Sequence, residues 1–600
     1  MFRASRQRPH AVRIVTVATG FALVAGLTAP ATADSAAPPS GQVVFDTDAH
    51  ARFDWSLPSR WAGSWMSYDE NTASYGDYVH PSTWSMNLDG CASSSVRRIK
   101  TYSFLVQQVG TSWSRTFTSS NCLVRVQDVL PAEGYYTVQL TLHTDWGDLD
   151  GVSAPAAGTA GVRDYLIVSL GDSLASGEGV PDSPGAYDIA IGKTWSILSF
   201  RERRAVRWED RRCHRSRRSG PSQAAKAFED ADPKTSVTFV SLACSGATLP
   251  QVIDQRYEGQ EPSGGVEMPA QLEAVKALFG PDSGHRRRID ALSVSAGVND
   301  LDFADIVKRC ATNSNVKLWA GKDCVLADGL QDKLDKMKEK YSRLASKVKQ
   351  VAPDVREVYL NDYPAEVFHG GGCDLLGWPG VGITPAEGDE MALYGTRLNG
   401  IIRRATADFR GNSFRWNLVG PLSLLFGPHA YCADDTWFTP IEQSLAQQGN
   451  VDGTAHPNVT GHQGYAGLLR RATVLDQSAS PYRRLRVTVT EVKSDVNPGT
   501  SQRADINLLR WQTDDTGETH ALTVPRDGQW TPVPTSVGRF ALDVYRTPSS
   551  PRHAVELRMG LGGILPIHHT LTDAYGAGTH EIANPNGHLS ARYTVDVLTP

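Results

Sequence analysis

Four continuous apolar runs stand out in the middle of the chain. Continuous apolar character is typical of strands that are buried on both faces, as in a parallel sheet. Amphipathic helical patterns separate the runs, and in residues 334–351 the apolar side chains fall on one helical face. Strands that alternate with helices predict an α/β domain over residues 162–480, with a mainly parallel sheet and helices on both sides. The runs are YLIVSL from Tyr165, SVTFVSLA from Ser236, IDALSVSA from Ile289 and VREVYL from Val355.

The pattern on either side of this domain is that of short, separated β-strands. Residues 34–158 hold β-branched and aromatic runs between turn residues, and with the stretch WSMNLDGCASS they resemble immunoglobulin-like sandwiches of the PKD type. The stretch 153–161, SAPAAGTAG, is small and poor in charge, so we expect a linker there. The β pattern returns in residues 481–600, which predicts a second all-β sandwich.

The first residues have the pattern of a secretory signal. Several arginines precede the apolar run IVTVATGFALVAGL, and ATA at residues 31–33 supplies a small-residue cleavage site. We therefore expect residues 1–33 to be a signal peptide and the mature protein to be secreted into the extracellular space. An uncleaved anchor is the alternative, but the apolar run is short for a helix that spans a bilayer.

The composition and the net charge limit the classes of partner that the protein is expected to bind. A chain of 600 residues is too long for a single hydrophobic core of ordinary size, so we expect several domains. A net charge of -5 favours neither nucleic acid nor an anionic membrane as the binding partner.

The eight cysteines include no CxxC pair, and we see no spacing typical of a metal site. Disulfides between cysteines that follow one another in the sequence close the shortest loops, although many other pairings exist. Free buried thiols are the alternative to disulfides. The expected disulfides are Cys91 with Cys122, Cys213 with Cys244, Cys310 with Cys324, and Cys373 with Cys432.

Small and polar residues follow the buried runs at the points where strands should end. GDSL follows the first run and contains Ser173, SGAT follows the second and contains Gly246, and GVND follows the third and contains Asn299. Because the carboxyl ends of parallel strands form the binding crevice of such a sheet, we expect these three residues to lie together. Far downstream, DGTAHPNVTGH supplies His456 as a base.

These four blocks, in this order, resemble the blocks of the SGNH or GDSL-type hydrolases over about residues 163–475. GDSLASGEG and CHRS (residues 213–216) further resemble the secreted actinobacterial esterases and lipases of that family. The resemblance implies a three-layer α/β/α domain. It also implies a serine esterase that works through an acyl-serine intermediate and needs no cofactor.

The resemblance also implies a role for each block. Ser173 would be the nucleophile, and His456 would take its proton. The oxyanion hole would consist of the N–H groups of Ser173 and Gly246 and the side-chain amide of Asn299.

The residue that orients His456 departs from the family pattern. The family usually places an aspartate three residues before the histidine, where this chain has Gly453. Either Asp452 reaches Nδ1 of His456, or a backbone carbonyl such as that of Gly453 orients the ring.

The substrate is less closely defined than the chemistry. Acyl lipids or phospholipids are the first expectation, as for secreted members of the family. A polysaccharide acyl or acetyl esterase is the alternative, because flanking sandwiches often contact carbohydrate or another cell-surface polymer. An adhesive or binding protein on an inactive scaffold is the non-enzyme alternative, which the presence of all four blocks disfavours. The arginine-rich insert 201–218 either binds an anionic group or forms a solvated, partly self-paired surface.

Overall fold

The computed structural model describes most of the chain from residue 43 onward. The predicted signal segment, residues 1–33, lies outside the described residues, as do Cys310 and Cys324. The described residues are 43–191, 198–261, 265–284, 286–307, 329–368, 373–374, 382–409, 415–473, 475, 482–495, 501–510, 516–525, 527–534, 539–545, 555–561, 564–571, 579–584 and 587–598.

The N-terminal strands form two facing sheets and a separate two-stranded hairpin. They are β1 (Val43–His50), β2 (Asp54–Ser56), β3 (Tyr68–Asp69), β4 (Ser74–Tyr75), β5 (Trp84–Asp89), β6 (Ile99–Gln108), β7 (Ser114–Ser119), β8 (Leu123–Leu130), β9 (Gly134–Trp146), β10 (Leu149–Ala154) and β11 (Ala156–Val162). The larger sheet has the order β1-β10-β9-β6-β7, with β11 also on β9, and the smaller has the order β2-β5-β8, while β3 and β4 form the hairpin. Leu88 of β5 and Leu140 of β9 are both fully buried in the one core that the two sheets share.

The predicted linker at residues 153–161 is wrong, because this stretch belongs to β10 and β11. Residues 156–162 pair one by one with residues 134–140 of β9. A Cβ on Gly158 would lie 3.0 Å from the ring of Phe53, so small residues here allow an aromatic side chain to pack on the strand. The predicted domain boundary at residue 158 therefore moves past the end of β11.

The predicted parallel sheet is present in the central domain. The strands that follow β11 are β12 (Asp164–Gly171), β13 (Ala186–Ile191), β14 (Leu198–Arg204), β15 (Ser236–Ser241), β16 (Ala291–Ser295), β17 (Glu357–Asn361), β18 (Cys373–Asp374), β19 (Gly382–Ile383) and β20 (Arg415–Val419). Five of them form a fully parallel sheet of order β15-β12-β16-β17-β20, and the four apolar runs supply β12, β15, β16 and β17. The chain passes from β12 to β15 on one side of it and then crosses to β16 on the other side. This change of direction creates a crevice at the carboxyl ends of β12 and β16.

Helices cover both faces of this sheet. They are α1 (Trp61–Met66), α2 (Ser173–Ser176), α3 (Gly220–Ala231), α4 (Leu249–Ile253), α5 (Gln271–Phe279), α6 (Leu330–Val351), α7 (Pro385–Phe409), α8 (Leu422–Phe426), α9 (Ile441–Gln448) and α10 (Val459–Ala472). Among them α1, α3 and α10 pack together, and α4 to α7 form a second group. Right-handed crossovers place these groups on opposite faces. The apolar face predicted for α6 is buried as expected.

Part of the N-terminal region packs on the central domain, which the prediction of a separate sandwich over residues 34–158 did not include. Residues 61–75 contain α1 and the β3–β4 hairpin. The ring of Trp65 lies 5.6 Å from the ring of Phe239 in β15. The hydroxyl of Tyr75 donates a hydrogen bond to the carbonyl oxygen of Ser241 at 3.1 Å and accepts one from its N–H at 2.9 Å. Trp65 and Tyr75 thus belong to the central hydrophobic core.

The C-terminal strands also form two antiparallel sheets. They are β21 (Tyr482–Ser494), β22 (Ser501–Arg510), β23 (Thr516–Pro525), β24 (Thr531–Pro532), β25 (Arg539–Tyr545), β26 (Val555–Leu561), β27 (Ile564–Leu571), β28 (Thr579–Ala583) and β29 (Leu589–Leu598). One sheet has the order β24-β21-β29-β28, with β25 also on β21, and the other has the order β23-β22-β26-β27. Within the described part of the chain, none of the helices is both long and apolar enough to cross a membrane.

Candidate active site

Ser173 follows β12 at the start of the short helix α2. Gly171, the last residue of β12, has a φ of +132°. A Cβ on Gly171 would lie 1.9 Å from the carbonyl oxygen of Ser295 in β16, so only glycine permits this close approach. Asp172 caps α2, because its Oδ1 accepts a hydrogen bond from the N–H of Leu174 at 3.1 Å. Asp172 thus has the structural role expected of a turn residue, and it places Ser173 in the first turn of the helix.

A buried hydrogen-bond network supports the carboxyl group of Asp172. The hydroxyl of Ser295 donates to its Oδ1 at 3.1 Å, and the hydroxyl of Tyr363 donates to its Oδ2. The amide of Asn361 donates to the Ser295 hydroxyl at 3.1 Å. Burial raises the pKa of Asp172 to about 7, and the hydrogen bonds it accepts act in the opposite direction. The network joins the carboxyl ends of β12, β16 and β17 beneath Ser173.

Gly246 and Asn299 lie on the loops that follow β15 and β16. Gly246 has a φ of +79°, and a Cβ there would lie 3.1 Å from Oε1 of Gln260. The side-chain amide of Asn299 donates a hydrogen bond to the carbonyl oxygen of Ala247 at 3.0 Å. This bond holds the Asn299 side chain beside the Gly246 loop and leaves its second amide hydrogen for another acceptor.

His456 lies in the loop that precedes α10. Its carbonyl oxygen accepts a hydrogen bond from the N–H of Thr439 at 2.8 Å. Its own N–H donates to the carbonyl oxygen of Gly453 at 3.1 Å. Nδ1 of the ring is buried and makes no hydrogen bond to any described residue. The backbone of this loop is therefore fixed, while the ring is not held through Nδ1.

Neither the Asp452 carboxylate nor the Gly453 carbonyl bonds to the ring of His456, and the backbone carbonyls that act on this ring are those of Asp452 and Thr454. Within the described residues the Asp452 carboxylate makes no hydrogen bond to the ring, and the Gly453 carbonyl accepts the backbone N–H instead. Desolvation lowers the pKa of His456. The negative charges of Glu178 and Asp452 and the backbone carbonyls of Asp452 and Thr454 oppose that shift. The ring is therefore neutral at pH 7, as a general base requires.

One cavity of about 740 Å³ is lined by all the predicted site residues: Ser173, Gly246, Asn299, Asp452 and His456. Among the described residues no direct hydrogen bond joins the Ser173 hydroxyl to His456. In free enzymes such bonds often tighten only when substrate binds. Away from this polar end the wall is mainly apolar, and its members include Leu301, Phe303, Ile306, Met391, Leu398 and Phe438.

The arginine-rich insert 201–218 is partly self-paired. The guanidinium of Arg217 bonds to the carboxylate of Glu209 at 2.8 Å. Arg215 is buried and pairs with the buried carboxylate of Asp210. These pairs fit the interpretation of a self-neutralised surface better than that of an anion-binding site.

Two of the expected neighbour pairs of cysteines are disulfides in the structure. Cys91 bonds to Cys122 in the N-terminal domain, and Cys213 bonds to Cys244 next to the active site. Cys432 is also disulfide-bonded.

The sequence analysis missed two buried residues behind the cavity, Glu178 and His214. Oε2 of Glu178 lies 2.6 Å from Nδ1 of His214, and both side chains are fully buried. Each lies in a stretch that carries the family resemblance, Glu178 in GDSLASGEG and His214 in CHRS. An acid and a histidine placed among small residues beside the nucleophile are the signal that could have identified them.

The geometry of the central domain agrees with a comparison against known families. Residues 169–463 match the sequence model of the GDSL-like Lipase/Acylhydrolase family. The central domain is similar in sequence to the GDSL-like lipases and acylhydrolases. The protein is accordingly a serine hydrolase that acts on ester bonds. No curated protein sequence matches the chain.

Three solved structures are similar to parts of this protein. An extracellular lipase from Streptomyces rimosus has 20% sequence identity and a TM-score of 0.31, and the match covers 52% of this chain and 100% of the lipase. Phospholipase A1 from Streptomyces albidoflavus NA297 has 21% identity and a TM-score of 0.32, with 51% and 99% covered. A two-domain esterase active on acetylated mannans has 10% identity and a TM-score of 0.19, with 67% and 92% covered.

Removal of the Cys213–Cys244 disulfide is expected to lower both the stability and the activity of the central domain. This bond ties the arginine-rich insert to the loop that carries Gly246, and the N–H of Ser245 donates to the carbonyl oxygen of Cys213 at 3.0 Å. A disulfide of this kind typically contributes about 2–4 kcal/mol to the free energy of unfolding. We expect the Cys213→Ala/Cys244→Ala variant to lose Tm and kcat, measured by thermal unfolding and ester turnover.

The Cys91–Cys122 disulfide provides a matched control. Both disulfides join residues 31 positions apart, so their loop-closure entropies are equal. Cys91→Ala/Cys122→Ala is expected to lower the stability of the N-terminal domain and to leave kcat unchanged. Equal losses of kcat in the two variants would contradict a local role for Cys213–Cys244.

Proposed function

We propose that the protein hydrolyses carboxylic esters with medium or long acyl chains, such as acyl lipids or phospholipids. The apolar cavity that begins at Ser173 supports this most directly. A space of about 740 Å³ with few polar groups in its wall suits an acyl chain. A sugar ring would instead leave its hydroxyl groups without hydrogen-bond partners there.

In the proposed reaction, Ser173 and His456 act in two steps. Oγ of Ser173 attacks the ester carbonyl carbon while His456 takes the hydroxyl proton, and the alcohol leaves with that proton. Water then attacks the acyl-enzyme and gives a proton to His456, which returns it to Ser173 as the carboxylic acid leaves. The N–H groups of Ser173 and Gly246 and the amide of Asn299 hold the negative oxygen in both tetrahedral intermediates.

We also propose that the protein is exported, as in the secreted actinobacterial branch that its blocks resemble. The arginine and apolar pattern of residues 1–33 supports this, and so do the disulfides, which persist in oxidising compartments. Export would bring the enzyme to lipids outside the cell. The two β domains would then contact lipid or a cell-surface polymer.

Replacement of Met391 by tryptophan is expected to shorten the acyl chains that the enzyme accepts. Met391 lies on α7, is buried and lines the cavity. A larger ring there would displace the end of a long chain, and each methylene that loses its apolar surroundings costs about 0.8 kcal/mol. Displacement of two methylenes lowers kcat/KM for an octanoate ester about ten-fold relative to an acetate ester. Turnover of p-nitrophenyl acetate and octanoate measures this ratio.

Leu393 on the same helix gives the control substitution. Its side chain is 50% exposed and does not line the cavity. Leu393→Trp is therefore expected to keep the ratio of octanoate to acetate turnover. A wild-type preference for acetylated polysaccharide over octanoate esters would contradict the acyl-lipid proposal and favour the polysaccharide esterase.

A further inference from the structure

Three ionisable side chains form a chain of contacts behind the cavity, which runs from the buried Glu178 and His214 to the partly exposed Glu261. Nδ1 of His214 lies 2.6 Å from Oε2 of Glu178, and Nε2 lies 3.2 Å from Oε1 of Glu261. The imidazole also stacks on the indole of Trp208, with 4.6 Å between ring centroids and 1° between planes. Because both ring nitrogens face carboxylate oxygens, both must donate, and the ring is an imidazolium.

All three residues of this chain are ionised. Burial alone would lower the pKa of His214, but the charges and hydrogen bonds of Glu178 and Glu261 raise it to about 10. Burial likewise opposes ionisation of Glu178, and His214 outweighs it and holds the pKa of Glu178 below its usual value. Two carboxylates therefore share one imidazolium. Arg211 pairs with Glu261 on the solvent side, where water screens the charge.

The backbone next to Glu178 lies directly against the loop of the proposed base. A Cβ on Gly179 would lie 3.3 Å from Cβ of His456 and 2.9 Å from the carbonyl oxygen of Pro457. The N–H of Glu178 donates to the carbonyl oxygen of Ser173 at 3.1 Å. Glu178 is therefore tied to the nucleophile and lies one residue from the contact with the base.

A second buried histidine fixes the position of Glu178. Nδ1 of His462 accepts a hydrogen bond from the N–H of Gly220 at 3.1 Å, and Nε2 lies 3.3 Å from the carbonyl oxygen of Glu178. Burial lowers the pKa of His462 to about 4, so this ring is neutral and donates through Nε2. The Glu178 backbone is thus held on both sides, by His462 and through its N–H.

The buried polar atoms without a hydrogen-bond partner among the described residues include Oε1 of Glu178 and Nδ1 of His456. The groups that act electrostatically on His456 are Glu178 and Asp452, and His456 in turn acts on His462. Those that act on Glu178 are His214, Ser245 and His456. Of the two acids near His456, Glu178 is the fully buried one, and charge is screened least in such surroundings.

We propose that Glu178, kept ionised by His214, is a positioning residue that stabilises the imidazolium form of His456 during acyl transfer. The proposal rests on ester hydrolysis by Ser173 and His456. When His456 takes the Ser173 hydroxyl proton, a positive charge forms near the buried carboxylate of Glu178, which acts electrostatically on the His456 ring. Glu178 itself takes no proton. It supplies the charge that the orienting aspartate supplies in the usual family pattern.

The pH dependence of kcat/KM for a soluble p-nitrophenyl ester tests this, because its acid limb reports the pKa of the base in the free enzyme. Loss of the negative charge makes protonation of His456 less favourable. Glu178→Gln is therefore expected to move the acid limb to lower pH by about one unit and to lower the plateau about ten-fold. Glu261→Gln, which removes a half-exposed carboxylate beyond His214, is expected to leave the limb in place.

A double variant covers the case in which Glu178→Gln does not fold because His214 loses its counter-ion. Glu178→Gln/His214→Gln removes both buried charges, and we expect the limb to move in the same direction by a smaller amount. A folded variant with reduced turnover and an unmoved acid limb would overturn the proposal and leave Glu178 a purely structural role. Wild-type turnover that Ser173→Ala does not abolish would instead contradict the proposed function, so the two failures are distinguishable.

Discussion

Replacement of Ser173 by alanine is expected to lower ester turnover by about four orders of magnitude or more, with little change in Tm. The hydroxyl is the attacking group of the proposed reaction. Ser173 is 6% exposed and opens onto the cavity, so its loss does not unpack the core. The measurement is kcat/KM for a p-nitrophenyl ester, together with thermal unfolding.

Ser176 offers a matched control for this variant. It lies on the same short helix and is fully buried, and its hydroxyl donates to the carbonyl oxygen of Ser173 at 3.3 Å. Ser176→Ala is expected to lower Tm slightly and to change kcat/KM no more than about three-fold. A large loss of Tm in Ser173→Ala, matching its loss of turnover, would show that Ser173 supports the fold rather than the reaction.

Replacement of His456 by alanine is expected to lower kcat nearly as far as Ser173→Ala, because the nucleophile then has no base. Asp452→Asn is expected to cost much less, since the Asp452 carboxylate makes no hydrogen bond to the His456 ring within the described residues. Steady-state kinetics of the two single variants give this comparison directly.

The double variant Ser173→Ala/His456→Ala adds a second criterion. Residues that act as one unit are strongly non-additive, so the double variant should be about as inactive as either single variant. Independent, additive losses would show that the two residues do not act in the same step. Equal and near-total losses in Asp452→Asn and His456→Ala would show that Asp452 is a full member of a triad.

The central sheet could be predicted because its strands are buried on both faces. Such strands read as continuous apolar runs, and β12, β15, β16 and β17 all do. The fifth strand, β20, has the sequence RWNLV, in which Arg415 and Asn417 interrupt the run. The amide of Asn417 is satisfied by the carboxylate of Glu357 at 3.0 Å. A polar pair between neighbouring strands cannot be read from either strand alone.

The N-terminal errors have a different cause, which is packing between segments far apart in the sequence. Small residues near Gly158 resemble a flexible linker, but they leave room for the ring of Phe53 about a hundred residues earlier. Trp65 likewise lies in a stretch that looks like part of the sandwich, and its partner Phe239 lies in another domain. Local patterns identify neither partner.

The site residues divide in the same way. Ser173, Gly246 and Asn299 could be predicted because each follows a strand that the pattern identifies, and the topology brings strand ends together. The orientation of His456 depends on the course of one loop, and its Asp452 side chain does not reach the ring. Glu178 was missed because its significance comes from a salt bridge to His214, 36 positions away.

The docking of Trp65 and Tyr75 onto β15 also constrains how this enzyme could have been assembled. Separation of the chain between β11 and β12 would remove these two aromatic side chains from Phe239 and Ser241. It would leave an exposed apolar patch on the central domain. The N-terminal β domain is therefore not an independent module that recombination could exchange for another domain. It must be inherited, synthesised and folded together with the part of the chain that performs the chemistry.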